Sequence, residues 1–157
     1  MKDLDTLIHD IYTVLDGLNS DKGVDIPEEL MEEFLVNTRE ALEGWSTPHL
    51  QSKTVRMSNV GRPLRRVWYD MQDTPLTKER MQPSTFIKFL YGHLLESVAI
   101  LLIKLSGHTV TDMQKEVEVD GIKGHMDCKI DGEVVDIKTA SNFSFKKFSS
   151  GSLVDDD

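Results

Sequence analysis

Hydrophobic residues recur at helical spacing along the first fifty positions. Leu4, Leu7, Ile8, Ile11, Val14, Leu15 and Leu18 form one stripe. Leu30, Met31, Phe34, Leu35, Thr38, Ala41 and Leu42 form a second, ending at Gly44. Asn19 to Gly23 reads as the loop between them. Asp25-Ile26-Pro27-Glu28-Glu29 reads as a helix start, with a capping acid, an early proline and acids in the first turn. The pattern predicts an N-terminal helical hairpin. Trp45 to Asn59 reads as irregular around Pro48. Ser58 to Tyr69 predicts a short helix capped by Ser58, with Arg62, Arg65 and Arg66 on one side and Leu64, Val67 and Trp68 turned inward. Residues 71–84 read as a polar connection. From Phe86 to Ser106 the chain is apolar on most sides, which predicts a buried helix capped by Ser84 or Thr85 and stopped by Gly107.

Beyond Gly107 the period changes to two. Strands are expected at Val110 to Val119, at 122–130 and at 133–139, joined by Asp120-Gly121 and Asp131-Gly132. Asp-Gly supplies the two positive φ angles of a tight hairpin turn. The result is an antiparallel meander packed by the buried helix, an α+β arrangement. A two-residue turn at Asp131-Gly132 sets the register. Ile130 then faces Glu133, Cys128 faces Val135, Asp127 faces Asp136 and His125 faces Lys138. Met126, Cys128, Ile130, Val135 and Ile137 fall on an apolar face. His125, Asp127, Asp136 and Lys138 fall on the other. Opposed Cβ atoms lie about 5 Å apart, so two aspartates there repel each other. A divalent cation such as Mg²⁺ or Mn²⁺ relieves that repulsion. On the apolar helix, His93 and Glu96 stand three apart and share a face. A carboxylate in that setting is costly without a partner.

The 157 residues suffice for one domain with a buried core, and a hydrophobic share of 39% with 29% charged predicts a soluble, globular chain. No stretch is expected to span a membrane, and Met1-Lys2-Asp3-Leu4-Asp5 lacks a signal-peptide core. The one cysteine, Cys128, excludes an internal disulfide and a four-cysteine zinc or iron–sulfur site within the chain. It fits a reducing, cytoplasmic setting. The net charge of −9 is unevenly spread. Residues 1–50 hold 12 acids and three bases, whereas Lys53, Arg56, Arg62, Arg65 and Arg66 face only Asp70 in residues 51–70. The division is therefore an acidic helical segment, 1–50, suited to a basic protein partner, and a core, 51–157, with a basic island suited to phosphate.

Three of these elements, in order, resemble the PD-(D/E)XK nuclease superfamily: Glu96 on a helix, Gly124-His125-Met126-Asp127, and Asp136-Ile137-Lys138. His93-Leu94-Leu95-Glu96 and the segment from Ser58 to Tyr69 are similar to the RecB-like exonuclease branch. The likeness spans about residues 58–140. It implies a restriction-endonuclease-like core with a mixed sheet of three or more strands, and metal-dependent hydrolysis of DNA phosphodiesters at single-stranded or duplex ends. It also implies roles. Asp127, Asp136, Glu96, His93 and the Ile137 carbonyl would bind Mg²⁺ or Mn²⁺, and Lys138 would orient water or offset charge on phosphorus. Arg62, Arg65, Arg66, Lys146 and Lys147 would meet the nucleic acid. His125 is a candidate for the site rim. Pro63 stands where some relatives carry a cluster-ligating cysteine, so no iron–sulfur cluster is expected. The branch's later Gln-x-x-x-Tyr segment is absent, and the core is expected to end in a polar tail after Phe143, Phe145 and Phe148 pack on the sheet. Its length and acidic helices suit a phage protein. The alternatives are a structure-specific endonuclease, a nuclease-fold binding module without catalysis, and a regulatory protein that docks through its acidic helices.

Overall fold

Both Asp-Gly pairs form tight turns, with φ of 52° and 77° at Asp120-Gly121 and 51° and 96° at Asp131-Gly132. The computed structural model describes residues 2–47, 54–72 and 81–151. Pro48 and most of the 71–84 connection and the polar tail lie outside the described residues. The described chain is α+β, with five α-helices and small antiparallel sheets. The helices are α1 (Leu7–Asp16), α2 (Glu28–Ser46), α3 (Leu64–Asp70), α4 (Pro83–Leu105) and α5 (Asn142–Ser149). The strands are β1 (Val110–Thr111), β2 (Glu116–Val119), β3 (Ile122–His125), β4 (Cys128–Ile130) and β5 (Glu133–Val135).

The expected meander is present as a broken ribbon. β1, β4 and β5 form one sheet, and β2 and β3 form another. The β4–β5 register is the expected one, Cys128 opposite Val135 and Ile130 opposite Glu133. The break has a physical cause. Thr111 pairs with Lys129 and Glu116 pairs with His125, so four residues on one arm face three on the other. One extra residue makes a bulge. Asp112 and Gln114 take it up with φ of 52° and 49°. The bulge is bridged by Gln114 N–H to the Asp127 carbonyl (2.9 Å) and Met126 N–H to the Lys115 carbonyl (3.1 Å). His125 lies opposite Glu116, as the Asp120-Gly121 turn dictates, while the other ladder ends at Cys128–Val135 before it could set His125 opposite Lys138.

The apolar face of the hairpin holds the core as expected. Cys128 and Ile130 are fully buried against Ile103, with Leu4, Leu7, Ile11, Val110, Val135 and Ile137 around them. Burial also pushes the Cys128 thiol pKa up. α2 packs along α4, as does α1, so the two N-terminal helices are walls of the core as well as neighbours in sequence. Pro27, not Asp25, occupies the α2 cap, and the helix runs on through Trp45 to Ser46. At the base, the His108 side chain is fully buried between two carboxylates, with Nδ1 2.6 Å from Asp131 Oδ2 and Nε2 3.0 Å from Asp10 Oδ2. Lys2 closes the cluster 3.0 Å from Asp10.

Other expectations are corrected. α4 begins at Pro83, so Ser84 and Thr85 are inside it and Gln82 is the cap. It is not buried all round. Only Ser97, Ile100 and Ile103 are buried, while Phe86, Ile87, Phe89, Tyr91 and Leu95 are exposed. By length and composition α4 is apolar enough to cross a membrane, contrary to the expectation that no stretch is. Ser58 sits within a 3-10 turn, Met57–Asn59, instead of capping a helix. Arg62 precedes α3, which starts after Pro63, and Leu64 and Trp68 are exposed rather than turned inward. Phe143, Phe145 and Phe148 do not pack on the sheet. They are exposed on α5, whose N-terminus is capped by Ser141 accepting from Ser144 N–H.

Two predictions follow from these contacts. A Cβ on Gly124 would lie 2.8 Å from Met57 Cβ and Sδ, where Arg56 bridges to Lys123. Gly124→Ala should therefore destabilise the protein by about 1–3 kcal/mol in denaturant unfolding. Lys2 first, then Thr6 and His108, hold the Asp10 pKa down at about 2. A depressed carboxyl stabilises the fold above its unfolded pKa, and that stability is lost as pH falls through the folded value. Unfolding free energy should thus fall between about pH 4 and pH 2. Asp10→Asn should flatten that part of the pH profile and lower stability at pH 7.

Candidate metal centre

Beyond the Cys128–Val135 pair the hairpin arms part. The amide that would continue the ladder, Ile137 N–H, instead donates to Asp127 Oδ2 at 2.8 Å. This bond orients the Asp127 carboxylate and brings Ile137 and Lys138 to the same wall. Asp127 is largely enclosed, with its side chain 17% exposed. Lys138 Nζ lies 3.9 Å from Asp127 Oδ2 and 2.7 Å from Asp136 Oδ1. The Asp136 contact chiefly, with the charges of Asp127 and Glu96 adding, raises the Lys138 pKa and keeps it cationic.

A cavity of about 570 Å³ opens between this wall, α4 and α2. His93, Glu96, Asp127, Ile137 and Lys138 all line it. Five of the expected site residues are thus brought together from three segments distant in sequence. Asp136 is not among the lining residues; its side chain is 62% exposed and paired with Lys138. The expected face-to-face meeting of Asp127 and Asp136 fails because the ladder ends at Val135 and Asp127 takes the Ile137 amide. Among the described residues no three His, Cys, Asp or Glu side chains converge as a metal cage. Arg62, Arg65, Arg66, Lys146 and Lys147 do not line the cavity. Arg65 lies over the Tyr69 ring at 5.8 Å, and Lys147 over Phe143 at 5.0 Å.

Glu96 is the electrostatically stressed member. Burial first, and then the charge on Asp127, raise its pKa; Gln114, His93 and Lys138 work in the other direction. Its hydrogen-bond donor is the Gln114 side chain, at 2.8 Å. Gln114 was hidden in the expected strand. Its left-handed backbone is uncommon for a residue of this kind and is imposed by the bulge. The same residue therefore ties Asp127 by its backbone and Glu96 by its side chain. The sequence reading also missed Asn37, Glu40 and Trp45 on α2, which line the cavity opposite the hairpin. Their signal was a second helical stripe, polar and small, beside the apolar one. The donors facing the cavity are carboxylate oxygens, a carbonyl segment and one imidazole. That set suits Mg²⁺ or Mn²⁺, and two carboxylates in a half-buried cavity gain from a cation between them.

A raised carboxyl pKa means that the native state holds its proton longer than the unfolded chain, so stability falls as pH rises through the ordinary carboxylate range. Glu96→Gln keeps an oxygen for Gln114 and should raise the melting temperature by roughly 2–4 °C at pH 7, measured without divalent cations. The gain should vanish near pH 4. No protein-family model, curated protein or solved structure matches the chain.

Proposed function

We propose that residues 51–157 are a PD-(D/E)XK nuclease-like core that hydrolyses DNA phosphodiesters with Mg²⁺ or Mn²⁺, acting from strand ends as an exonuclease. The observation that carries this reading is the convergence of His93, Glu96, Asp127, Ile137 and Lys138 on one cavity. Glu96 and Asp127, with His93 and the Ile137 carbonyl, would hold the cation. Bound there, it would acidify a water molecule and offset charge on phosphorus. The chain's own groups do the rest. Lys138, kept protonated by its carboxylate neighbours and exposed at the rim, offsets charge that develops on the phosphate. Gln114 fixes the Glu96 carboxylate against the Asp127 strand, so the two acids keep their spacing as charge changes. Arg62, Arg65 and Arg66, and Lys146 and Lys147 on the last helix, meet backbone phosphates away from the reacting centre.

A second reading, a nuclease-fold module that binds DNA without cutting it, is favoured by one observation. Asp136, the third carboxylate of the resemblance, is turned out of the cavity and paired with Lys138. End-labelled linear DNA and covalently closed circular DNA, each with Mn²⁺ or Mg²⁺, separate the two. Cation-dependent shortening of linear DNA alone is the expected result. Asp127→Asn keeps an oxygen for the Ile137 amide, and Lys138→Ala alters an exposed side chain. Both should remain folded and lose cleavage by about a hundredfold or more. Binding without cleavage establishes the second reading, and full cleavage by both variants overturns the first.

A further inference from the structure

The cavity has a wall that the resemblance does not cover. Asn37, Glu40, Ala41, Gly44 and Trp45 lie at i, i+3, i+4, i+7 and i+8 of α2, and all five face the cavity across from Asp127 and Lys138. The indole of Trp45 is fixed, because its Nε1–H donates to the Phe86 carbonyl at 2.8 Å. That bond favours the ring position that leaves the space beside it open. Ala41 and Gly44 on the same face leave that space open, and a Cβ at Gly44 would meet nothing within 4 Å. At the far end Asn37 and Glu40 have no hydrogen-bond partners among the described residues, so an amide and a carboxylate are available to a ligand edge. A flat aromatic surface, a small-residue floor and free polar groups at one end match a planar heterocycle with a hydrogen-bonding rim. The volume, about 570 Å³, is that of a site for a ligand of nucleotide size.

We infer that this face of α2 receives an unpaired nucleobase stacked on Trp45, so that the substrate is a single-stranded segment whose neighbouring phosphate lies toward Lys138. The inference rests on the nuclease reading for the identity of the phosphate chain. A base held in a duplex is stacked and paired, and is not free to enter. Aromatic stacking tolerates any base, while Asn37 and Glu40 are the groups able to discriminate among base edges.

Trp45 and Trp68 are the two tryptophans, so Trp68→Phe in the full chain leaves Trp45 as the only indole reporter. Its fluorescence is titrated with a short single-stranded oligonucleotide, with an abasic strand of equal length and charge, and with blunt duplex. Ca²⁺ replaces Mn²⁺ during the titration, and cleavage is measured separately. The expected result is quenching by the base-bearing single strand alone. Gly44→Leu fills the floor with a better helix former and should weaken that binding by on the order of tenfold, with an unchanged circular dichroism spectrum. Equal binding of abasic and base-bearing strands, or quenching indifferent to Gly44→Leu in the folded variant, overturns the inference. Base-dependent quenching without cleavage in Mn²⁺ upholds the wall and overturns hydrolysis. Cleavage without base-dependent quenching does the reverse.

Discussion

The hydrogen bond from Ile137 N–H to the Asp127 carboxylate is the contact on which the candidate site depends. A sheet end leaves backbone amides that need acceptors. Here a side chain supplies one, and a charged acceptor makes the bond stronger than an ordinary ladder rung. Asp127 is thereby held at the cavity wall, and the residues after β5 are drawn to that wall instead of continuing as a strand. On the other side of Asp127 the bulge does matching work. The extra residue cannot stay in the ladder, so it rotates Gln114 out of the strand and toward α4, where its amide meets Glu96. One residue, Asp127, thus sets the position of Lys138 through its carboxylate and of Glu96 through its main-chain carbonyl and Gln114.

Holding acids close has an electrostatic cost, and the fold meets it differently at its two ends. At the base, Asp10 and Asp131 flank the buried His108, and Lys2 stands on Asp10. Both ring nitrogens of His108 lie within hydrogen-bond distance of a carboxylate, and Lys2 supplies a positive charge beside Asp10, so the cluster fastens α1 to the β4–β5 turn. At the cavity the compensation is incomplete. Lys138 answers Asp127 only at 3.9 Å and spends its short contact on Asp136, while Glu96 is left with an uncharged amide. Burial first, and then the Asp127 charge, raise the Glu96 pKa. The contrast argues that the base is built for stability and the cavity for something that brings positive charge.

The hairpin was legible because Asp-Gly turns and period-two alternation are local properties, and they fixed the Cys128–Val135 register and the buried face. The convergence of His93 and Glu96 with Asp127 was legible only through the order of motifs, since nothing local says that α4 lies against that hairpin. Three things were not legible. The bulge follows from a count of residues between two pairings that neither arm reveals alone. The outward turn of Asp136 follows from competition for a single amide, which alternation cannot foresee. Phe86, Phe89 and Tyr91 are exposed although α2 reaches the first turn of α4; an all-round apolar pattern does not say how much of the helix circumference finds a partner.

α2 also changes what the chain's halves are. By charge, residues 1–50 look like an acidic appendage to a core that begins near the basic island. By packing, α2 runs along α4, Glu33 pairs with Lys104, and the Trp45 indole bonds to the first turn of α4. Removing the appendage would take away one face of the cavity and uncover the helix that carries Glu96. Its acidity then has a local meaning. Glu40 adds a third negative side chain to the lining of a cavity that already holds Glu96 and Asp127, and among the described lining residues Lys138 is the one lysine or arginine. These three carboxylates repel an anionic phosphate, and a cation that arrived with it or before it would offset that repulsion.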